Sequence, residues 1–240
     1  MGEVAVRRAL RVAFFSTGDE LKGVGSVLGE GEIYDSNRYT LHGMLTRLGC
    51  EALDMGVVRD EPQLLERAFR EAAASADVVI TSGGVSVGEA DFVKGMLDEL
   101  GEVVFWKIAM KPGRPLAYGK IGSAHFFGLP GNPVSVMVTF YQFVRDALLV
   151  LMGANPVEPV PTFTAICATR LKKAPGRTEF QRGILARGPD GALTVKPTGE
   201  QGSGILKSMS DANCFIILGD ATGNVEPGTL VEVQLLEGIV

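Results

Sequence analysis

The sequence predicts an α/β domain with a mostly parallel sheet in three layers, followed by a small all-β barrel or sandwich domain. Three observations carry this. Over residues 11–154, short apolar, β-branched runs alternate with amphipathic helical stripes across short turns. That alternation stops at a proline-dense linker, Asn155-Pro156-Val157-Glu158-Pro159-Val160-Pro161. Over the rest of residues 155–240, short strand-like runs are separated by turns, and no helical stripe is left. Residues 1–10 read as a linker remnant.

Arg11 to Phe15 reads as a core strand leading into Ser16-Thr17-Gly18-Asp19-Glu20, and Gly23 to Asp35 as an extended glycine-rich loop. Leu41, Met44, Leu45 and Leu48 form the stripe of a helix that Gly49 stops. Glu51 to Val58 is a strand, and Pro62 suits the first turn of a helix whose face is Leu64, Leu65, Ala68, Phe69 and Ala72. Next comes the stretch around which the chain is organised. The buried strand Ala76 to Ile80 enters the loop Thr81-Ser82-Gly83-Gly84-Val85-Ser86-Val87-Gly88-Glu89-Ala90-Asp91. A helix follows with Phe92, Val93, Met96, Leu97 and Leu100 on one face and Gly101 as its C-cap. Glu102 to Trp106, Leu116 to Tyr118 and Ala124 to Phe127 are strands. The turn Leu129-Pro130-Gly131-Asn132-Pro133 then opens a long helix that ends at Met152-Gly153. Past the linker, strands are expected at Thr162 to Leu171, Glu179 to Ala186, Leu193 to Lys196, Cys214 to Leu218 and Thr229 to Leu235.

At 46% hydrophobic and 21% charged residues, the 240-residue chain reads as an ordinary soluble protein able to bury a core. A formal net charge of −5 argues against a nucleic-acid surface. Cys50, Cys167 and Cys214, an odd count, lie far apart without a CxxC pair, which argues against a disulfide framework and a zinc site and suits a reducing cytoplasm. His42 and His125 are too isolated for a zinc motif. The first residues lack the apolar core of a secretory signal. The uncharged run between Lys120 and Arg145 contains Gly128, Pro130, Gly131, Asn132 and Pro133, which argues against a membrane span.

A strand, a glycine-rich turn and a helix start together present backbone N–H groups to an anion. Gly83, Gly84 and Gly88 permit the backbone this needs, and Asp91 either caps the helix or holds a divalent metal beside a phosphate. In a parallel sheet the loops at Thr17–Glu20, Arg59-Asp60, Gly83–Asp91 and Pro130–Pro133 all leave on one side. Glu20, Asp60 and Asp91 then meet near backbone donors, as a magnesium site requires. Singly, each acid is equally explained as a helix cap or a solvated charge, and for Asp60 capping alone suffices. Lys107 to Arg114 sets three cations on a segment stiffened by Pro112 and Pro115, suited to an oxyanion, with a solvated basic turn as the plain alternative. Arg177, Arg182 and Gln201-Gly202-Ser203-Gly204 are further candidate contacts.

Taken together, several runs resemble the molybdopterin molybdenumtransferase family, that of MoeA and the gephyrin E-domain. They are Ser16-Thr17-Gly18-Asp19-Glu20-Leu21, Tyr34-Asp35-Ser36-Asn37, Ser82–Asp91, Lys111-Pro112-Gly113 and Leu129-Pro130-Gly131-Asn132-Pro133. Pro175-Gly176-Arg177, Phe180-Gln181-Arg182-Gly183 and Gln201-Gly202-Ser203 match as well. The resemblance implies a molybdopterin-binding fold joined to the family's C-terminal barrel. It also implies insertion of molybdate into adenylylated molybdopterin with release of AMP, dependent on Mg2+. By motif, Glu20, Asp60 and Asp91 correspond to the acids around metal and substrate, with Lys107, Lys111, Arg182 and Ser203 around molybdate and phosphates. Thr17, Gly18, Ser82, Gly83, Gly84, Gly88, Pro130, Gly131, Asn132 and Ser135 would line the ligand pocket.

The resemblance further implies small-molecule substrates, a cytoplasmic homodimer, and a molybdopterin adenylyltransferase and molybdoenzyme maturation factors as partners. Arg114 stands where lysine is frequent in the family. The family's N-terminal domains have no counterpart here, so the chain reads as a C-terminal part, a fragment or a short form. Two other functions compete. One is Mg-ATP-dependent adenylylation of molybdopterin, which shares the central loop but not the β domain. The other is a non-catalytic molybdopterin-binding scaffold.

Overall fold

A computed structural model of the chain describes residues 2–84 and 90–236, and the side chains of all of these except 90–94, 105 and 106. The chain divides into two compact units. The first comprises Met1–Trp106, Pro115–Gly131 and Thr139–Val157, and the second Lys107–Arg114, Asn132–Val138 and Glu158–Val240.

The first unit is α/β. Its strands are β1 (Arg11–Thr17), β4 (Glu51–Val58), β5 (Val78–Ser82), β6 (Gly101–Lys107), β8 (Pro115–Ile121) and β9 (Ala124–Leu129), in the sheet order β4-β1-β5-β9-β8-β6. β1 runs parallel to both β4 and β5, and β5 parallel to β9. β8 turns back antiparallel on β9, so the sheet is mixed. The helices are α1 (Ser36–Arg47), α2 (Pro62–Ser75) and α3 (Ala90–Leu100). Every residue of β5 is buried, as its unbroken apolar run predicts for a central parallel strand. Phe15 of β1, Phe69 of α2 and Phe126 of β9 meet edge-to-face, with centroids 5.2 and 5.6 Å apart, and anchor the core.

Four local expectations change. Leu64, placed on the α2 stripe, is 40% exposed, because the buried face is the narrower set Leu65, Ala68, Phe69 and Ala72. The N-cap of α2 is Glu61, with no side-chain bond, so Asp60 stands one residue before the cap position. Gly101 is no C-cap: it opens β6, where a Cβ would collide with the Lys120 carbonyl of β8, so the glycine serves a close approach of two strands. The Gly23–Asp35 loop is flanked by two short parallel strands, β2 (Leu21–Lys22) and β3 (Ile33–Tyr34), too brief to leave a periodic signal.

The long helix is a composite of α4 (Pro133–Thr139), a π-helical segment (Phe140–Val144) and α5 (Arg145–Met152), closed by Gly153 in the left-handed conformation. By length and composition Pro133–Met152 would be able to cross a membrane, yet half of it is buried inside the protein. Val134, Val136, Val138, Phe140, Val144 and Leu148 are buried, and this use in the interior accounts for its hydropathy.

The second unit is a barrel rather than a sandwich. β10 (Thr162–Cys167), β14 (Leu230–Leu235), β13 (Cys214–Leu218) and β11 (Thr178–Arg187) follow one another. β12 (Leu193–Pro197) closes the circle by pairing with both β10 and β11. Ala165, Cys167, Val195, Cys214, Ile216, Leu218, Val231 and Val233 point inward. A single helical turn, α6 (Lys207–Asp211), is too short for any stripe to announce it. Part of the basic segment read as a turn is the strand β7 (Met110–Lys111), which pairs parallel with Thr178 and Glu179 of β11.

Candidate functional site

Because β4, β1, β5 and β9 run parallel, the loops at Arg59-Asp60, Gly18–Glu20, Gly83-Gly84 and Pro130-Gly131 leave one edge of the first unit's sheet. The first two touch: the Asp60 amide donates to the Asp19 carboxylate at 3.3 Å. The Glu20 carboxylate folds back over Gly18, occupying the space a Cβ there would need. Gly83 and Gly84 both have positive φ, 91° and 66°, which turns the chain sharply out of β5. A Cβ on Gly83 would lie 2.6 Å from the Thr17 carbonyl and 2.9 Å from its hydroxyl, so only glycine lets the two loops lie this close.

Beneath these loops runs a belt of buried polar side chains. Ser16, Thr17, Asp35, Asn37, Thr81 and Ser82 are each at most 7% exposed. The Ser16 hydroxyl lies 3.0 Å from both an Asp35 carboxylate oxygen and the Ser82 hydroxyl. Asp35 also caps α1, accepting from the Arg38 amide at 3.2 Å, and its second oxygen stands 3.6 Å from the Arg38 guanidinium. The Asn37 amide donates to the Gly131 carbonyl at 2.6 Å. One connected set of side chains thereby fixes the ends of β1 and β5, the start of α1 and the turn after β9. Apart from the Asp35 oxygen paired with Arg38, two of its buried oxygens, Thr17 Oγ1 and Asn37 Oδ1, have no hydrogen-bond partner among the described residues. Buried polar atoms are rarely left so, and such orphans at a loop edge are what a bound polar ligand satisfies.

In the second unit, Arg182 is 1% exposed and donates from Nε to Ser208 Oγ and from Nη2 to the Gly202 carbonyl, each at 3.0 Å. The described residues give it no carboxylate, and burial pulls its pKa down to about 10, which leaves it charged at neutral pH. Gln201 binds the Arg182 backbone on both sides, through Oε1 at 2.8 Å and Nε2 at 3.2 Å. The adjoining Ser203 carbonyl accepts from the Val134 amide at the start of α4, which brings the Asn132–Ser135 turn to the Ser203 loop. Ser135 is buried there. Lys111 lies 3.4 Å from Glu179, and Lys107 is exposed.

The candidate residues therefore fall in two sets. Thr17, Gly18, Glu20, Asp60, Ser82, Gly83, Gly84, Pro130 and Gly131 belong to the first unit. Lys107, Lys111, Asn132, Ser135, Arg182 and Ser203 belong to the second. Gly88 and the Asp91 side chain lie outside what is described. Among the described residues no three histidine, cysteine or acidic side chains gather to hold a metal, and Asp91, the third acid of the expected cluster, has its side chain outside them. Asp35 and Asn37 are missing from the sequence-derived candidates. They stand inside the Tyr34–Asn37 motif, but their cross-links to Ser16 and Gly131 join residues distant in sequence.

A mainly parallel sheet with a glycine turn over a buried polar belt, followed in the chain by a closed barrel, defines a two-part protein with an anion-receptive loop edge. The chain belongs to the molybdopterin-binding family: residues 13–150 match the model described as "Probable molybdopterin binding domain". Residues 164–236 match the "MoeA C-terminal region (domain IV)". The chain is 48% identical over 234 residues to a molybdopterin molybdenumtransferase from Haemophilus influenzae, covering 98% of this chain and 58% of that one. It is 36% identical to one from Nostoc, covering 90% and 50%. A crystal structure of the molybdopterin biosynthesis MoeA protein from Pyrococcus horikosii superimposes with a TM-score of 0.79 at 32% identity, covering 96% of this chain and 55% of that one. The chain thus spans little more than half the length of the curated relatives it matches.

Proposed function

We propose that the chain carries the substrate-holding parts of a molybdopterin molybdenumtransferase, with residues 11–154 and 155–240 as its two functional domains and residues 1–10 as a linker. The observation that carries this is the glycine turn of β5 set on the Ser16–Asp35–Ser82–Asn37 belt, with two buried oxygens left without a partner among the described residues. The names of the relatives support molybdopterin and molybdate as substrates, and in this reading the molybdopterin is adenylylated.

In this reading the backbone of the Gly83-Gly84 turn receives phosphate oxygens, and Thr17 and Asn37 hold polar atoms of the substrate. Asp60 and Glu20, with Asp91, offer hard oxygen donors of the type Mg2+ takes, and the Asp19–Asp60 contact is consistent with that donor set. Bound there, Mg2+ would neutralise charge on the phosphoanhydride that is broken as AMP leaves. Lys107, Lys111 and Arg182 supply fixed positive charge for the molybdate dianion. The match of residues 164–236 to a MoeA C-terminal region favours insertion over adenylylation by this chain. A substrate that arrives adenylylated requires an adenylyltransferase upstream. Cytoplasmic location and a homodimer complete the proposal.

The test is calorimetric titration with Mg2+ present, comparing adenylylated molybdopterin with free molybdopterin plus ATP, for wild type and Asp91→Asn. Binding of the adenylylated form should weaken roughly tenfold or more in the variant, as loss of a charge-assisted contact implies. Binding of free molybdopterin with ATP in preference would replace this reading with adenylylation. Indifference to Asp91→Asn would remove the metal-linked site.

A further inference from the structure

The edge of the first unit's sheet opposite the glycine turn also carries a cleft. The parallel strands β1, β5 and β9 begin there, at Arg11, Val78 and Ala124. The cleft encloses about 490 Å3, a volume of the order that small-molecule sites have. Its polar lining is Arg7, Arg8, Asp77, Ser123 and His125.

The charges around it do not cancel. Arg8 donates to both oxygens of Asp77, and Asp77 also accepts from the Arg11 amide at 2.9 Å, so this pair is closed on itself. Arg7 is exposed and has no hydrogen-bond or carboxylate partner among the described residues. It is nonetheless seated. Its Nε lies over Gly153, 2.7 Å from where a Cβ would stand. Gly153 closes α5, and the carbonyl end of a helix favours a cation. Arg7 thus leaves the cleft with one positive charge that no acid meets.

His125 adds none. Burial, and after it the charge of Lys120, lowers the His125 pKa, so the ring is neutral at neutral pH. Its Nδ1 lies 3.3 Å from the Tyr118 hydroxyl, and its other ring nitrogen has no hydrogen-bond partner among the described residues. With the exposed Ser123 hydroxyl, it sets uncharged hydrogen-bonding groups beside the cation. Leu10, Ala76 and Leu151 give the cleft an apolar wall. One net positive charge, neutral polar groups and an apolar wall complement a monoanion with an apolar body. A phosphate-like dianion would bring one charge too many, would face Asp77 and would leave the wall uncovered.

We propose that this cleft binds a small organic monoanion, a carboxylate on a short apolar body. Arg7 pairs with the carboxylate, and Leu10, Ala76 and Leu151 cover the body. The site shares no residue with the loop edge at the far end of the strands and does not rest on the function proposed above.

The experiment is an NMR titration of the chain with hexanoate, hexanamide and inorganic phosphate at neutral pH in about 0.15 M NaCl, where unspecific surface attraction is largely screened. The chain has two histidines, so the His125 ring signals report on the cleft and those of His42 serve as an internal reference. A His42→Gln variant assigns them. Wild type, Arg7→Gln and the remote surface variant Arg67→Ala are compared, with circular dichroism confirming that each is folded. Hexanoate should shift the His125 signals saturably and leave His42 unmoved. Its binding should weaken roughly tenfold or more in Arg7→Gln, as loss of one charge-assisted contact implies, and stay unchanged in Arg67→Ala. Hexanamide, with the same body and no charge, should bind at least as weakly to wild type as hexanoate does to Arg7→Gln. Equal binding of hexanamide would overturn the proposal by showing an apolar surface alone, and phosphate binding as tight as hexanoate would overturn it by showing a bare cationic one. Absence of a saturable His125 shift, or full affinity in Arg7→Gln, would equally overturn it.

Discussion

Arg182 shows how a single side chain can shape a loop without being exposed on it. Its guanidinium is spent on Ser208 and the Gly202 carbonyl, and its backbone on Gln201. The residue therefore shapes the loop carrying Ser203 and holds a positive charge inside the barrel unit. Arg182→Ala should destabilise the protein by about 2–4 kcal/mol, since it leaves a cavity and unpaired buried acceptors. Urea unfolding measures this. A variant as stable as wild type would show that the loop does not depend on the guanidinium. The sequence marked Arg182 only through its motif, because burial of a charge without a carboxylate follows from partners in the residue 201–208 loop.

At the level of elements, the site depends on where strands end and what turns they permit. The turn out of β5 has Gly83 at φ 91°, with the Thr17 carbonyl where a side chain would begin. Gly83→Ala should cost about 1–3 kcal/mol in strain and abolish binding of adenylylated molybdopterin, read by calorimetry on the folded variant. Unchanged binding would remove the turn from the site. The strand and helix boundaries in this region were legible in the sequence because periodicity is local. Glu51–Val58 and the start of α2 at Pro62 fall where the pattern put them. Gly101 was misread for the converse reason: its requirement is set by Lys120 on a neighbouring strand, which no local pattern records.

Across the whole molecule, the segment before β1 is tied to the first unit's sheet by charge. Arg8 donates to Asp77 at 2.7 Å, and Asp77 also accepts from the Arg11 amide at 2.9 Å. The Arg8 hydrogen bond leads in holding the Asp77 carboxyl down at about 2. A carboxylate whose folded pKa is depressed contributes stability above its ordinary value of about 4 and loses it as pH falls toward the folded value. Asp77→Asn should therefore melt below wild type at neutral pH, by at most about 2–4 °C because Arg8 is exposed and screened. The gap should narrow below about pH 4 and close near about pH 2. Melting curves across that range, with a gap that persists at the acid end, would show that the contribution is not the charge of Asp77.

By itself the sequence determined the class of each half, the position of most elements and the motifs that tie the chain to molybdopterin-binding proteins. All of these are written in local periodicity, turn chemistry and short runs. Tertiary structure decided what depends on residues far apart in the chain. It closed the barrel through the double pairing of β12 and recruited Met110 and Lys111 into its sheet. It joined Ser16, Asp35, Ser82, Asn37 and Gly131 into one polar belt, and it set Arg7 and His125 around one cleft. The physical reason is the range of the interactions. Backbone propensity acts over a few residues, whereas hydrogen bonds between loops and the sharing of charge act only once packing has brought those loops together.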